Sequence, residues 1–208
     1  MPGPLDFLNP VNTAVSIVKS LVDEWRKMQD RQDSANQAIT ADLVGLLEEL
    51  RKTNSTIVKL VSPVRRLKDN PQTFAAEWQD IYADFRDTVD AYDFIEERMH
   101  CHKIGQIRFR MGKRKPRFGK DTQWQQFDRA LDELSNADLS IIDRHYRPFV
   151  ADVDAAMRRI DGFVQANDAA QAIAEKKTLL ANLDPGYAQT KARLAEMSDL
   201  IAQLTNEL

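Results

Sequence analysis

The side chains able to do chemistry are few, and most fall in one stretch. Glu97-Arg98-Met99-His100 has the Glu-x-x-His spacing of half a di-iron helical site. The matching half is missing, because neither His102 nor His145 has a glutamate three residues before it. Glu48 and Glu49 could supply a bridging carboxylate only by chance, so no metal ligand is expected. His100, Cys101 and His102 are consecutive, so a helix aims them in different directions. They read as an exposed helix end. Asp80, Asp84 and Asp87, like Glu48 and Glu49, read as solvated helix faces. The chain has no phosphate-cradling glycine loop, no Gly-x-Ser-x-Gly and no paired Cys-x-x-Cys. Catalysis is not expected, and neither a cofactor nor a small-molecule substrate is indicated.

One segment has a functional slant. Residues 98–120 read RMHCHKIGQIRFRMGKRKPRFGK, with nine of the 29 Lys and Arg and no Asp or Glu. The remaining 20 basic residues face 32 acidic ones, a balance of −12 outside the segment. Gly105, Gly112, Pro116 and Gly119 predict that its end is a loop between helices. Lys103, Arg108, Arg110, Lys113, Arg114, Lys115, Arg117 and Lys120 alternate with Ile107, Phe109, Met111 and Phe118. Near an anionic leaflet each cation contributes about 1 kcal/mol, and interleaved apolar groups enter the headgroup layer. The same cations would suit nucleic-acid phosphates, but an acidic chain repels a duplex elsewhere. The bland alternative is a solvated loop packed on acidic helices of its own chain.

The elements that must carry this segment are helices. Seven glycines in 208 residues and the absence of strand-like alternation predict an all-α fold. Written in sevens, residues 11–67 give two core columns. The first is Val11, Val18, Trp25, Gln32, Ile39, Leu46, Thr53, Leu60 and Leu67. The second is Val15, Val22, Gln29, Asn36, Leu43, Leu50, Ile57 and Val64. Gln29, Gln32 and Asn36 interrupt them. Either one helix of about 80 Å continues to Ser62, or the chain turns back here, as a Ser34/Gln37 capping box suggests. Pro63 should kink or end the second helix. Asp69-Asn70-Pro71 is a break. A third stripe runs through Phe74, Trp78, Ile81, Phe85, Tyr92, Ile95 and Met99, and its rings read as core. Thr122 and Gln125 predict the next helix start, Pro148 a kink, and Asn167-Asp168 a weak point.

Residues 1–167 are therefore expected to form a bundle of four or more long antiparallel amphipathic helices. Residues 168–208 should form a C-terminal helical hairpin turning at Asp184-Pro185-Gly186, packed on the bundle or on another chain. Its Leu194, Met197, Ile201 and Leu204 make a seam that fits self-association or burial within the chain. A single cysteine, no signal-peptide pattern and no run of about 18 apolar residues are expected of a cytoplasmic protein.

Leu5-Asp6-Phe7-Leu8, Ala14-Val15-Ser16 and Leu21-Val22-Asp23-Glu24-Trp25 open the chain. A leucine-rich helix, a helix with spaced aromatics and the basic connector follow. Gln125-Gln126-Phe127-Asp128-Arg129-Ala130-Leu131-Asp132-Glu133-Leu134 comes after them. Over residues 5–147 this order resembles the HeLo-type and mixed-lineage-kinase-like N-terminal four-helix-bundle domains of cell-death effectors. The resemblance implies a bundle that self-assembles and contacts anionic membranes through basic residues. A glycine-rich apolar first helix, found in some of those domains, is missing here. The function expected is that of a non-enzymatic effector or adaptor acting by self-assembly and membrane binding. The alternatives are a scaffold that binds a partner helix through its heptad seams and, behind it, a nucleic-acid-binding bundle.

Overall fold

The computed structural model describes residues 8–27, 34–53, 55–90, 94–114 and 120–207. The described chain is all-helical. Its α-helices are α1 (Leu8–Arg26), α2 (Ser34–Thr53), α3 (Ser55–Arg66), α4 (Phe74–Asp90), α5 (Ile95–Arg114), α6 (Asp121–Ser135), α7 (Arg147–Gln165) and α8 (Ala169–Glu207). A wider π-helical segment, Ala137–Tyr146, joins α6 to α7. No described helix is long and apolar enough to cross a membrane.

The two heptad columns hold where they are described, while Gln29, Gln32 and the side chains of Asn36 and Ile57 lie outside the described residues. Val11, Val15, Val18, Val22 and Trp25 of α1 are buried, as are Ile39, Leu43, Leu46, Leu50, Thr53, Leu60, Val64 and Leu67 further on. Of the two readings near residue 33, the chain takes the reversal. α1 runs in the same sense as α8, with Lys19 on Glu196 at 3.3 Å and Arg26 on Glu207 at 2.8 Å. α3 runs against α8, with Arg65 on Asp184 at 2.5 Å and the Lys176 ammonium on the Leu67 carbonyl. Leu194 shares a groove with Glu48, Lys52 and Ser55, which extends that opposite sense to the end of α2. α2 begins at Ser34, where the capping box was expected.

Neither proline ends its helix. α3 passes through Pro63 to Arg66, and α8 passes through Pro185 without a turn. The expected C-terminal hairpin at Asp184-Pro185-Gly186 is therefore corrected to one continuous helix of 39 residues. A helical proline strands the carbonyl four residues earlier. Here those carbonyls belong to Lys59 and Ala181, both exposed, where water can take them. Contacts beside Pro185 also support the continuous helix, with Arg65 on Asp184 just before it. The Arg65 guanidinium lies 3.8 Å from the Tyr187 ring centroid, and the Thr190 hydroxyl donates to the Gly186 carbonyl at 2.8 Å.

The hairpin in the structure lies one connection earlier, between α7 and α8. Asn167 adopts φ 57°, a left-handed value that asparagine tolerates better than most residues. The Asp168 amide then donates to the Phe163 carbonyl at 2.9 Å, and the Asp168 carboxylate accepts from the Gln171 amide at 3.0 Å. Arg159 reaches Glu175 across the hairpin at 2.6 Å.

The third stripe is shorter than expected. Phe74, Trp78 and Phe85 are buried, with Trp78 donating to Asp161 at 3.1 Å. The helix ends at Asp90, and Phe94 takes φ 61° before α5 starts. Tyr92 lies outside the described residues. Ile95 and Met99 do not continue the core stripe. They belong to a new helix rotated away from it and stand on its exterior.

Lys177 and Lys191 are both exposed on α8. Fourteen residues at 1.5 Å each put spin labels there about 21 Å apart plus linkers. A pulsed electron-resonance distance near 10 Å would restore the hairpin.

Candidate functional site

Residues 95–114 form one helix that Gly105 and Gly112 do not break, while the loop expected at the end of the basic segment falls on residues 115–119, outside the described residues. Gly105 has a packing reason to lack a side chain, since a Cβ there would stand 3.3 Å from the Ser135 Cβ of α6. Gly112 is open, with nothing within 4 Å of that position. Ile104, Ile107 and Met111 are buried and anchor α5 between α2 and α6. Cys101 is buried too, so the expected exposed helix end at His100-Cys101-His102 is corrected. Residue 101 lies in the second turn of α5, facing the core. Only His102 of the three stays exposed, and its ring lies 2.9 Å from the Gln106 amide.

α2 and α5 are joined by two buried carboxylates of α2. Asp42 is buried and receives Arg110 Nε at 2.8 Å and an Arg114 terminal nitrogen at 2.9 Å. Glu49, seven residues on, is buried and pairs with His100 Nδ1 at 2.7 Å, Lys52 at 3.0 Å and Lys103 at 3.8 Å. The expectation of Glu49 as a solvated carboxylate is overturned, because α5 covers it. Burial pushes its carboxyl up, but the hydrogen bonds from Lys52 and His100 and the charges of Lys52 and Lys103 outweigh this. The net result lies below the ordinary glutamate range.

α6 completes the flank. Arg108 makes a two-pronged pair with Asp128 at 2.8 and 2.9 Å and also reaches Asp132. The Arg108 hydrogen bond holds the Asp128 carboxyl below its usual range against a smaller desolvation effect, and the same bond raises Arg108. α6 starts at Asp121, one residue before the expected cap. The Gln123 side chain, not Gln125, accepts from the Lys120 amide, at 3.4 Å.

The expected binding residues thus fall into four groups. Lys103, Arg108, Arg110 and Arg114 are in ion pairs with α2 or α6. Lys113 and Phe109 face outward together, with the ammonium 4.3 Å from the ring centroid and Phe109 64% exposed. Lys120 is exposed at the N-cap of α6. Lys115, Arg117 and Phe118 lie outside the described residues. Of the basic segment's apolar residues, Ile107 and Met111 are core, not surface.

Two residues that sequence reasoning assigned to the core join Phe109 outside. Ile95 is 55% exposed and Met99 53%. At 100° per residue, positions 95, 99, 102, 106, 109 and 113 fall within a stripe of about 80°. The stripe therefore reads Ile95, Met99, His102, Gln106, Phe109 and Lys113. Among the described residues these three are the large hydrophobic side chains that stand exposed. The signal that could have found the stripe is this spacing, which fits α5 better than it fits a continuation of α4. Beside it, Gly105, Gly112, Arg108, Lys113 and Asp128 border an open groove of about 520 Å³.

The expected self-association seam is used inside the chain. Met197 and Leu204 are fully buried, and Leu194 and Ile201 are half-buried. Among the described residues no cluster of three His, Cys, Asp or Glu could hold a metal ion.

No protein-family model, no curated protein and no solved structure matches this chain.

Because the folded Glu49 and Asp128 carboxyls sit below their unfolded values, the stability they contribute is complete above the unfolded pKa. It is lost as pH falls through the folded one. Melting temperature should hold from pH 7 to about 5 and drop below about 4.3, the ordinary glutamate value. The Glu49→Gln protein should melt lower at pH 7 and lose less between pH 5 and 3, as followed by circular dichroism. Equal pH slopes for the two proteins would contradict this assignment.

Proposed function

We propose that this chain is a non-enzymatic binding module whose contact surface is the outer face of α5, and that it meets an anionic membrane surface there. The observation that carries the reading is the α5 stripe. Ile95, Met99 and Phe109 stand in water on one helix face that ends at Lys113 and leads into the basic residues 115–120. A large apolar side chain held in water forgoes about 1.5–3 kcal/mol of burial. Three on one stripe, flanked by Lys103, Arg110 and Arg114, match a helix lying in a headgroup layer with its rings down and its long cations reaching phosphate.

The reading takes α1, α2, α5 and α6 as an antiparallel four-helix bundle with the C-terminal half of α8 laid against it. The α2–α5 ion pairs, and on the α6 side Arg108 at Asp128 together with Gly105 at Ser135, support that arrangement. α5 is then an outer helix that can touch a flat surface without opening the core. The resemblance to HeLo-type bundles points the same way and rests on the residues quoted above. Self-assembly, in this reading, uses surfaces other than the buried Met197 and Leu204.

A second reading is favoured by one observation, the groove beside Phe109 at Gly105 and Gly112. Gly112, with nothing within 4 Å of where a Cβ would stand, leaves room there for another helix to approach closely, as a scaffold binding a partner helix would require.

Cosedimentation with vesicles tests the first reading. Wild-type protein should partition onto phosphatidylserine vesicles more than onto phosphatidylcholine ones, and less as salt rises. Replacing Ile95, Met99 and Phe109 together with Ser should weaken partition at least tenfold. Duplex DNA binding, if the cations support any, should be insensitive to that change. Equal partition by wild type and the triple variant would overturn the membrane reading.

A further inference from the structure

The cations that flank the stripe are not free to act as point charges. Lys103 is shared with Glu49, Arg110 and Arg114 with Asp42, and Arg108 with Asp128 and Asp132. Four cations thus meet four carboxylates, all supplied by α2 and α6 on either side of α5. Lys113 and Lys120 have no carboxylate partner among the described residues. A cation about 3 Å from an anion presents a dipole to a surface beyond it. The field of a dipole falls off faster than that of a lone charge, and salt shortens its reach to roughly 8 Å.

The masked side chains are nonetheless accessible. Arg110 and Arg114 are 45% and 42% exposed while Asp42 beneath them is 8% exposed. Asp42 binds each through one nitrogen, leaving other guanidinium N–H groups toward solvent. The acid is therefore the hidden member of the pair and the bases the reachable ones. Removing the acid's charge would uncover cations already standing at the surface. Asp132 differs in being 64% exposed, so its charge can be removed without touching the core.

We propose that Asp42, Asp128 and Asp132 mask the anionic-lipid face of α5, holding its guanidiniums in ion pairs so that the closed chain binds acidic lipid weakly. This rests on the membrane reading above and adds its regulation. Any change that draws α2 or α6 away from α5 would turn those pairs back into free cations beside the apolar stripe.

The test compares Asp42→Asn and the double variant Asp128→Asn/Asp132→Asn, which alone frees Arg108 from both its carboxylates, with Asp80→Asn and Asp80→Asn/Asp84→Asn, which remove the same charges from the exposed face of α4. Partition onto phosphatidylserine vesicles is measured near 0.1 M salt, with helix content and melting recorded for each protein. Each masking variant should bind roughly fivefold tighter, the effect of one added cation near an acidic leaflet. The two α4 variants should change binding less than twofold. Masking variants that bind no tighter than the α4 variants of equal charge overturn the proposal. If they do so while the serine triple variant still weakens binding, the membrane reading survives without the mask. If wild type and every variant fail to bind, both fall. Tighter binding to duplex DNA but not to vesicles would overturn the lipid assignment. Should Asp42→Asn fail to fold, the α6 double variant decides the matter.

Discussion

A carboxylate withdrawn from water must keep its cation, and this constraint governs how α5 sits in the protein. Asp42 and Glu49 lie seven residues apart on one face of α2, both buried. Each is compensated from α5, Asp42 by Arg110 and Arg114 and Glu49 by His100 and Lys103. Stripping a partner from such a group costs far more than the pair contributes. Sliding α5 along α2 would leave two acids uncovered at once. The pairs therefore fix position more than they add stability. Ile107 against Gly45, at 3.6 Å from where a Cβ would stand, sets the same register by shape.

Fixing α5 on α2 decides which of its faces remains outside. Ile104, Ile107 and Met111 turn inward, Arg108 turns to α6, and Gly105 lets α6 come close. What is left over is the stripe with Ile95, Met99 and Phe109. Its exposure follows from the demands of the other three sides. The same pairs that seat the helix also quiet its charge. Anchoring and masking are thus one set of contacts, and a change that loosens the first also lifts the second.

α8 has the corresponding role for the rest of the chain. Its N-terminal half packs on α7 and is tied to the end of α3 through Lys176, whose ammonium reaches the Leu67 carbonyl and Asp69 at 2.6 Å. Its C-terminal half lies along α1 and is pinned by Lys19 and Arg26. A hairpin at Pro185 would have separated these two sets of contacts. The continuous helix couples the α7 side of the molecule to the α1 side. Tyr146 adds a second link, its hydroxyl donating to the Thr53 carbonyl at the end of α2.

Helical periodicity alone determined the all-α class, the buried columns from Val11 to Leu67 and the aromatic core of Phe74, Trp78 and Phe85. Burial of an apolar stripe is dictated by spacing, whatever lies opposite. The basic segment was legible too, since charge is a property of composition. Tertiary structure decided the rest. Pro63 reads as a kink or helix end and Pro185 as a turn because local bonding is lost there, yet both remain helical, each with an exposed residue (Lys59, Ala181) four positions earlier. Ile95 and Met99 share the spacing of α4, but the left-handed turn at Phe94 starts a new helix and rotates them out. Glu49 and Cys101 carry no local mark of burial and are covered only because α5 lies across α2. Which cations of the segment are paired depends on carboxylates 20 to 72 residues away, a pairing that no local pattern encodes.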